Sequence, residues 1–240
     1  EPSRRQRQMC IRDSIKLDKW LNDHHALQAS SDDKVIALGQ SIMRSINEHA
    51  SINPVNLVAL AITQRTHLTM HDEALGVQVA CFRQLARRLH GEAILTSNVE
   101  SGGDIIDQVA ALGFIRRQTE GPWVCCNSSA ATLLTWYRNN VLHLFAAPSL
   151  VALLVSRAKA GIQERHLAEQ CRIIYPFVAR ELTIDEALAL EPVLQALSGM
   201  GLINRRDGYL RPASKPGEHY AQLAQLSTLL LEMLQRLYVV

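Results

Sequence analysis

The chain has 240 residues, which is long enough for one large domain or two small ones. Hydrophobic residues make up 48% of it and charged residues 20%, ordinary globular values that exclude a wholly disordered chain. The formal net charge of +2 arises from 25 Lys+Arg and 23 Asp+Glu, so composition gives no general electrostatic case for a polyanionic partner.

The N-terminal stretch differs from the rest of the chain. Residues Arg4 to Ser14 read RRQRQMCIRDS, with four arginines against one aspartate and neither a helical nor a strand period. The string resembles a translated sequencing adapter, and the alternative is a basic arm for nucleic-acid binding or nuclear targeting. We leave it out of the fold prediction, and residues 1–33 are expected to comprise this foreign segment and a linker.

Two helices are predicted next. Asn53 followed by Pro54 marks the start of the second, because Asn caps a helix and Pro loses no needed N–H at the first helical position. This helix is apolar on most sides, which indicates that it is buried. The first is predicted from apolar side chains at three- and four-residue steps, which are Val35, Leu38, Ile42 and Ile46.

A third helix and a hairpin follow. Thr69 with Asp72 three residues later resembles a capping box, so we expect a helix from there to Gly91. A further helix over 104–112 leads into a β-hairpin over 114–126, in which a Gly-Pro pair turns the chain.

The same order of elements returns later in the chain. A helix over 185–198 leads to a hairpin over 202–210 that turns at Asp207-Gly208. Helix followed by hairpin is typical of winged-helix units, so the sequence predicts a mainly α fold with two such units, over 34–128 and 129–240. Winged-helix modules often bind DNA, which makes a winged-helix DNA-binding protein the alternative function. The near-neutral charge argues against it, because phosphate contact needs a basic surface.

The most apolar part of the chain runs from Leu133 to Val155. Its uninterrupted core, Val141 to Val155, is fifteen residues long, whereas a bilayer-spanning helix needs about 20. We therefore expect two buried helices that meet near Ala147-Pro148, with an interfacial membrane patch as the alternative. A final helix is predicted from about Glu218 to the end of the chain.

Two short motifs suggest chemistry. His67 and Asp72 form an H-x4-D pair, in which His could take a hydroxyl proton and Asp could orient the ring. Arg116 and Arg117 could hold a phosphate through forked, charge-assisted bonds. The H-x4-D pair resembles one in glycerolipid acyltransferases, but the F-P-E-G block of those enzymes does not follow it. Asp72 is better explained as an acid in a first helical turn, where the helix dipole favours it. His67 and His71 have a metal-binding spacing without a third ligand nearby, and the five cysteines form no CxxC pair.

A polar string interrupts the apolar region. Trp136 to His143 reads WYRNNVLH, and such side chains are costly to bury unless they are hydrogen-bonded. They could face a ligand or partner domain, or form a satisfied network that fixes helix packing, which is the interpretation we favour. With Pro148-Ser149-Leu150, the string resembles the C-terminal region of bacterial membrane-bound glycerol-3-phosphate 1-O-acyltransferases. Weaker resemblances to the same family lie at Asn53–Leu60, Tyr175-Pro176 and Gly201–Ile203.

The resemblance implies the C-terminal part of an enzyme that moves an acyl group from acyl-CoA or acyl carrier protein to the 1-hydroxyl of glycerol 3-phosphate, at the cytoplasmic face of the bacterial inner membrane. In that family the catalytic blocks precede this region. The resemblance therefore implies a fragment that is inactive alone, with no catalytic, substrate-binding or metal residue of its own and no cofactor. Its implied partners are the upstream catalytic domain and the membrane surface, and no nucleic acid.

Overall fold

Helices dominate the fold, and two small antiparallel sheets complete it. A computed structural model of the protein describes residues 19–20, 31–65, 67–158, 160–185, 187–215 and 217–237. The predicted mainly α class with two helix-plus-hairpin units is confirmed. The helices are α1 (Ser31–Glu48), α2 (Pro54–Ile62), α3 (Asp72–His90), α4 (Gly102–Ala111), α5 (Ala131–Leu142), α6 (Ala146–Arg157), α7 (Glu164–Leu182), α8 (Leu190–Gly199), α9 (Glu218–Thr228) and α10 (Leu231–Leu237). The strands are β1 (Thr69–His71), β2 (Ile115–Arg117), β3 (Trp123–Cys126), β4 (Ile162–Gln163), β5 (Ile203–Arg206) and β6 (Tyr209–Pro212).

Two segments of the chain share one order of elements: helix, strand, helix, helix, strand, strand. The first winged-helix unit is α2-β1-α3-α4-β2-β3, and the second is α6-β4-α7-α8-β5-β6. In each sheet the last strand lies in the middle, with the orders β1-β3-β2 and β4-β6-β5. The sequence predicted both hairpins but neither β1 nor β4. These two strands have only three and two residues, too few to show a period of two.

The start of α3 differs from the prediction. Thr69 does not cap the helix, because it belongs to β1, where it pairs with Cys125. Its hydroxyl donates to the carbonyl oxygen of His67. The helix begins at Asp72, with His71 as an N-cap that makes no side-chain capping bond. The capping-box prediction is therefore wrong, whereas the prediction of Asp72 as an acid in the first turn is confirmed.

The other observed helix boundaries agree with the predicted ones to different extents. Asn53 caps α2, and Pro54 occupies its first turn as predicted. The helix predicted over 185–198 begins only at Leu190, and the predicted last helix is divided into α9 and α10. The apolar region forms two helices as expected, although a 3-10 turn over His143–Phe145 joins them.

One continuous hydrophobic core runs through both units, from Ile52 to Leu234. Phe82 of α3 meets Phe145 edge to face, with ring centroids 5.6 Å apart, a favourable aromatic geometry. The proposed division of the chain at residue 128 stays a prediction, and Arg4 to Ser14 lie outside the described residues.

Within the described part of the chain, the helical segment Ala131–Arg157 is long and apolar enough to cross a bilayer by length and composition. The fold already buries 56% of its most apolar window. Core helices of soluble proteins have the same signature, so this segment is weak evidence for a membrane span.

Candidate functional site

The H-x4-D pair does not form a catalytic dyad here. His67 is exposed in the loop before β1, whereas Asp72 opens α3 and binds Arg117. The Arg117 Nε lies 2.6 Å from Asp72 Oδ2, and Nη2 lies 3.3 Å from Oδ1. The two motifs thus meet through Asp72 and Arg117, as an ion pair.

Arg117 is shared between two carboxylates. Its second partner is Asp107 of α4, which binds Nη1. Hydrogen bonds to Asp72 and then to Asp107 raise the pKa of Arg117. Arg116 donates its Nε to the sulfur of Cys125 at 3.3 Å. The guanidinium of Arg117 is therefore already paired twice, which disfavours phosphate binding by this pair.

The second unit repeats the cluster with different residues. Arg205, the third residue of β5, binds Glu164 at the start of α7 and Glu191 in the first turn of α8, with N–O distances from 2.7 to 3.0 Å. Arg117 is likewise the third residue of β2, and Asp72 likewise opens a helix. The hydrogen bond from Arg205 is the main cause that lowers the pKa of Glu191. Both clusters tie a hairpin to two helices of their own unit, so they are structural ion pairs.

The third helix of each unit argues against DNA binding. In winged-helix DNA-binding proteins this helix enters the major groove. Here α4 and α8 contain no Lys or Arg, and they carry Asp104, Asp107 and Glu191. The hairpin residues Arg117 and Arg205 are bound by carboxylates of the same chain. Nothing therefore supports the DNA-binding alternative.

The described residues contain no group of three His, Cys, Asp or Glu that could hold a metal ion. His71 packs edge to face against Trp123, with centroids 5.7 Å apart. The cysteines of the described ranges, Cys81, Cys125, Cys126 and Cys171, are free thiols.

Burial makes two of these thiols unreactive. It raises the pKa of Cys81 to about 12, with a smaller contribution from the charge of Glu218, and it raises the pKa of Cys171 to about 12. Since the thiolate is the nucleophile and metal ligand, neither group is suited to such chemistry near neutral pH.

The polar string of α5 divides into an inner and an outer part. Arg138 is buried and contacts Asn139 Oδ1 at 3.1 Å and Glu232 Oε2 at 3.4 Å. His143 donates Nε2 to the carbonyl oxygen of Asn47 at 3.2 Å. Each of these two side chains is hydrogen-bonded within the fold, as the favoured packing interpretation predicted, while Trp136 and Asn140 are exposed. The inner part is structural, and the outer part could still face a partner.

A residue that sequence reasoning passed over joins α2 to α5. Asn56 is only 2% exposed. Its Oδ1 accepts the backbone N–H of Asn53 at 2.8 Å, and its Nδ2 donates to the carbonyl oxygen of Tyr137 at 2.7 Å. The detectable signal was a second Asn three residues after the capping Asn53, since that spacing permits a reciprocal capping box. Asn56 links two segments, Asn53–Leu60 and Trp136–His143, that carry the family resemblance.

The stability of the protein should depend on His143 in mild acid. Desolvation lowers its pKa, the nearby His90 lowers it further, and the bond to Asn47 opposes both. A histidine with a depressed folded pKa destabilises the fold as pH falls below the unfolded value of about 6.5. Between pH 7.5 and 5.5, His143→Gln should therefore lose less unfolding free energy than wild type, measured by urea denaturation. Equal losses in both proteins would contradict this assignment, since all other histidines are common to both.

Comparison with known proteins now decides the family. Residues 8–240 match the sequence profile of the family described as "Glycerol-3-phosphate acyltransferase C-terminal region". The chain belongs to this family. The resemblance drawn from Tyr137–Asn140 and Pro148–Leu150 is thereby confirmed.

Curated relatives named glycerol-3-phosphate acyltransferase extend the match. The protein of Pseudomonas fluorescens (strain Pf0-1) is 33% identical over 210 residues, which cover 84% of this chain and 25% of the relative. That of Ectopseudomonas mendocina (strain ymp) is 33% identical over 228 residues, covering 92% and 26%. A third, from Pseudomonas syringae pv. syringae (strain B728a), is 31% identical over 210 residues, which cover 84% of this chain and 25% of the relative. The chain thus spans about a quarter of the length of these relatives.

Proposed function

We propose that this chain is the non-catalytic C-terminal region of a glycerol-3-phosphate 1-O-acyltransferase. The parent enzyme would move an acyl group from the thioester of acyl-CoA or acyl carrier protein to the 1-hydroxyl of glycerol 3-phosphate, releasing the thiol and forming 1-acylglycerol 3-phosphate. The observation that carries the proposal is the match to a C-terminal family over residues 8–240, in a chain that spans only a quarter of its relatives.

The geometry of the described residues supports a non-catalytic role. Acyl transfer to a hydroxyl needs a base within hydrogen-bond reach of that hydroxyl and a group that orients the base. His67 is exposed, and the carboxylate of Asp72 is engaged by Arg117. Asp107, Glu164 and Glu191 are likewise engaged, in the ion pairs with Arg117 and Arg205 that tie the hairpins to their helices.

The region would act beside its own catalytic domain, at the cytoplasmic face of the bacterial inner membrane. We propose peripheral attachment, because Ala131–Arg157, the one segment of the described residues with the composition of a spanning helix, is half buried in the fold. Glycerol 3-phosphate and the acyl donor would bind the upstream part of the enzyme, and no cofactor is required for this transfer.

Acyl transfer measured on three proteins tests the proposal. The full-length parent should acylate glycerol 3-phosphate, and the isolated 240 residues should not. His67→Ala in the full-length parent should leave kcat/KM unchanged, because the exposed side chain does not contact Asp72. Turnover by the isolated chain would overturn the non-catalytic role, and an inactive His67→Ala variant of normal stability would restore the H-x4-D pair as a catalytic dyad.

A further inference from the structure

The first described helix has an apolar face that faces solvent. Helix α1 carries large apolar side chains that are between 42% and 67% exposed. At 3.6 residues per turn they fall within an arc of about 120° around the helix. Gly39 lies inside this arc, and a Cβ added there would meet no heavy atom within 4 Å. We call this surface the α1 face, and its residues are Val35, Ile36, Gly39, Ile42, Met43 and Ile46.

Polar contacts outside the α1 face fix the orientation of the helix. Arg44 Nε lies 2.6 Å from Asp185 Oδ2. Asn47 Nδ2 donates to the carbonyl oxygens of Leu182 and Thr183, at 2.9 and 3.0 Å. The helix is therefore held against the end of α7 at its last turns, while the α1 face remains exposed among the residues that the structure describes.

The opposite side of the helix is also occupied. Trp20 is buried and donates its Nε1 to Ser41 Oγ at 3.0 Å. At 100° per residue, Ser41 lies roughly opposite the middle of the α1 face. Trp20 therefore packs away from the α1 face and does not cover it.

An amphipathic helix of this kind needs a partner. In proteins most helical stability comes from packing an apolar face against another surface rather than from intrinsic helix propensity. The sequence predicted Val35, Leu38, Ile42 and Ile46 as one such face. The structure confirms the helix, with Leu38 half-buried and the other three side chains exposed. Exposed apolar patches of this type mark interaction sites.

The charge of the helix disfavours a lipid surface as that partner. Helices that lie in a membrane interface are rich in Lys and Arg on the polar face and carry Trp, Phe or Leu on the apolar face. Helix α1 has three acidic residues against two basic ones, and it contains no aromatic residue. A protein surface therefore fits the α1 face better than an anionic bilayer.

The length of the relatives indicates which protein surface covers the α1 face. They are about four times as long as the matched segment, and the matched family is a C-terminal region. In such a protein the polypeptide that precedes this region is joined to it on the N-terminal side of α1, so it is present at a high effective concentration. We propose that the α1 face docks against the upstream, catalytic portion of the same acyltransferase. This inference rests on the function proposed above and names the surface through which the two portions would meet.

Hydrogen exchange provides the test. In the full-length parent, the backbone amides of α1 should exchange at least about tenfold more slowly than in the isolated 240 residues, as expected when an exposed helix becomes packed. Both proteins should be compared in the same detergent. Equal exchange rates in the two proteins would overturn the proposal.

Two variants with the same added charge locate the contact. Ile42→Glu in the full-length parent should abolish the slowing of exchange in α1, whereas Gln40→Glu, on the exposed polar side of the same helix, should retain it. In the isolated chain, Ile42→Glu should leave the thermal midpoint unchanged, because Ile42 is exposed there. Loss of slowing in both variants, or in neither, would contradict docking through the α1 face.

Other partners of the α1 face would give different results in the hydrogen-exchange measurement. Slowing in the isolated chain that grows with protein concentration would identify a second copy and overturn the proposal. If the slower hydrogen exchange of α1 requires vesicles of phosphatidylethanolamine and phosphatidylglycerol, the partner is the membrane, and this result would overturn the proposal as well. Acyl transfer by the full-length parent is measured on the same samples, so a failure of the proposed function is distinguished from a failure of docking.

Discussion

Replacing Gly102 by alanine should destabilise the protein by about 3 kcal/mol, the upper range for overpacking a core. A Cβ at Gly102 would lie 2.6 Å from the carbonyl carbon of Gly76 and 2.8 Å from its Cα, and closer still to the carbonyl oxygen. These atoms belong to the backbone of α3, so they cannot swing aside as a side chain can. The first turn of α4 would have to move away from α3. Urea denaturation of the isolated chain gives the change in unfolding free energy.

Gly76→Ala is the matched control. It changes the other glycine of the same contact, but an added Cβ there meets its nearest heavy atom, the Gly103 nitrogen, at an ordinary 3.6 Å. Alanine is favoured over glycine in a helix interior by about 0.5–1 kcal/mol, so Gly76→Ala should be neutral or mildly stabilising. Similar destabilisation by the two substitutions would show that close backbone approach at Gly102 is not the cause.

The hairpins and most helices could be predicted from sequence because special residues mark their ends. Gly91, Gly113 and Gly201 end helices with positive φ angles, and Asp207 and Gly208 both adopt positive φ in the second hairpin turn. Such conformations favour glycine, or aspartate in tight turns, so the sequence reveals them. The short strands β1 and β4 are not joined to their partners by a tight turn, so no comparable signal marks them and they were not predicted.

Periodicity identifies a helix face but not what covers it. The stripe through Val35, Leu38, Ile42 and Ile46 correctly predicted α1, yet all of these side chains except Leu38 are exposed. By contrast, α2 was predicted as buried because it is apolar on most sides, and its residues from Val55 to Ile62 are indeed buried. A one-sided stripe leaves the identity of the covering surface open, whereas an apolar helix requires burial on all sides.

The misleading motifs have a physical explanation in the repeated unit. An acid at the start of the second helix and an arginine in the first hairpin strand occur in both units, as Asp72 with Arg117 and Glu164 with Arg205. In the first unit His67 happens to precede the acid, which creates the H-x4-D pattern. The sequence could not show that Asp72 and Glu164 bind these arginines, because they lie 45 and 41 residues away along the chain.

Asn56→Asp should destabilise the fold by about 3 kcal/mol or more, the range for leaving a buried charge without a partner. Asn56 is buried, and its Nδ2 lies 2.7 Å from the Tyr137 carbonyl oxygen. A carboxylate there would place two acceptors against each other and remove the bond between α2 and α5. The penalty should shrink as the pH is lowered, because a protonated carboxyl can again donate to the carbonyl. Urea denaturation at pH 7 and at pH 4 measures both effects.

Asn53→Asp makes the same chemical change three residues earlier and should cost little. The Asn53 side chain only accepts, from the backbone N–H of Asn56 at 3.0 Å, and aspartate is as good an N-cap as asparagine. A carboxylate at this end of α2 also interacts favourably with the helix dipole. An aspartate at position 56 can still accept the Asn53 N–H, so the contrast between the two substitutions isolates the donor to Tyr137. Comparable losses would show that the added charge near the start of α2, and not the lost donor, causes the destabilisation. In the full-length parent, the same contrast in acyl transfer would show whether the packing of α5 on α2 supports catalysis.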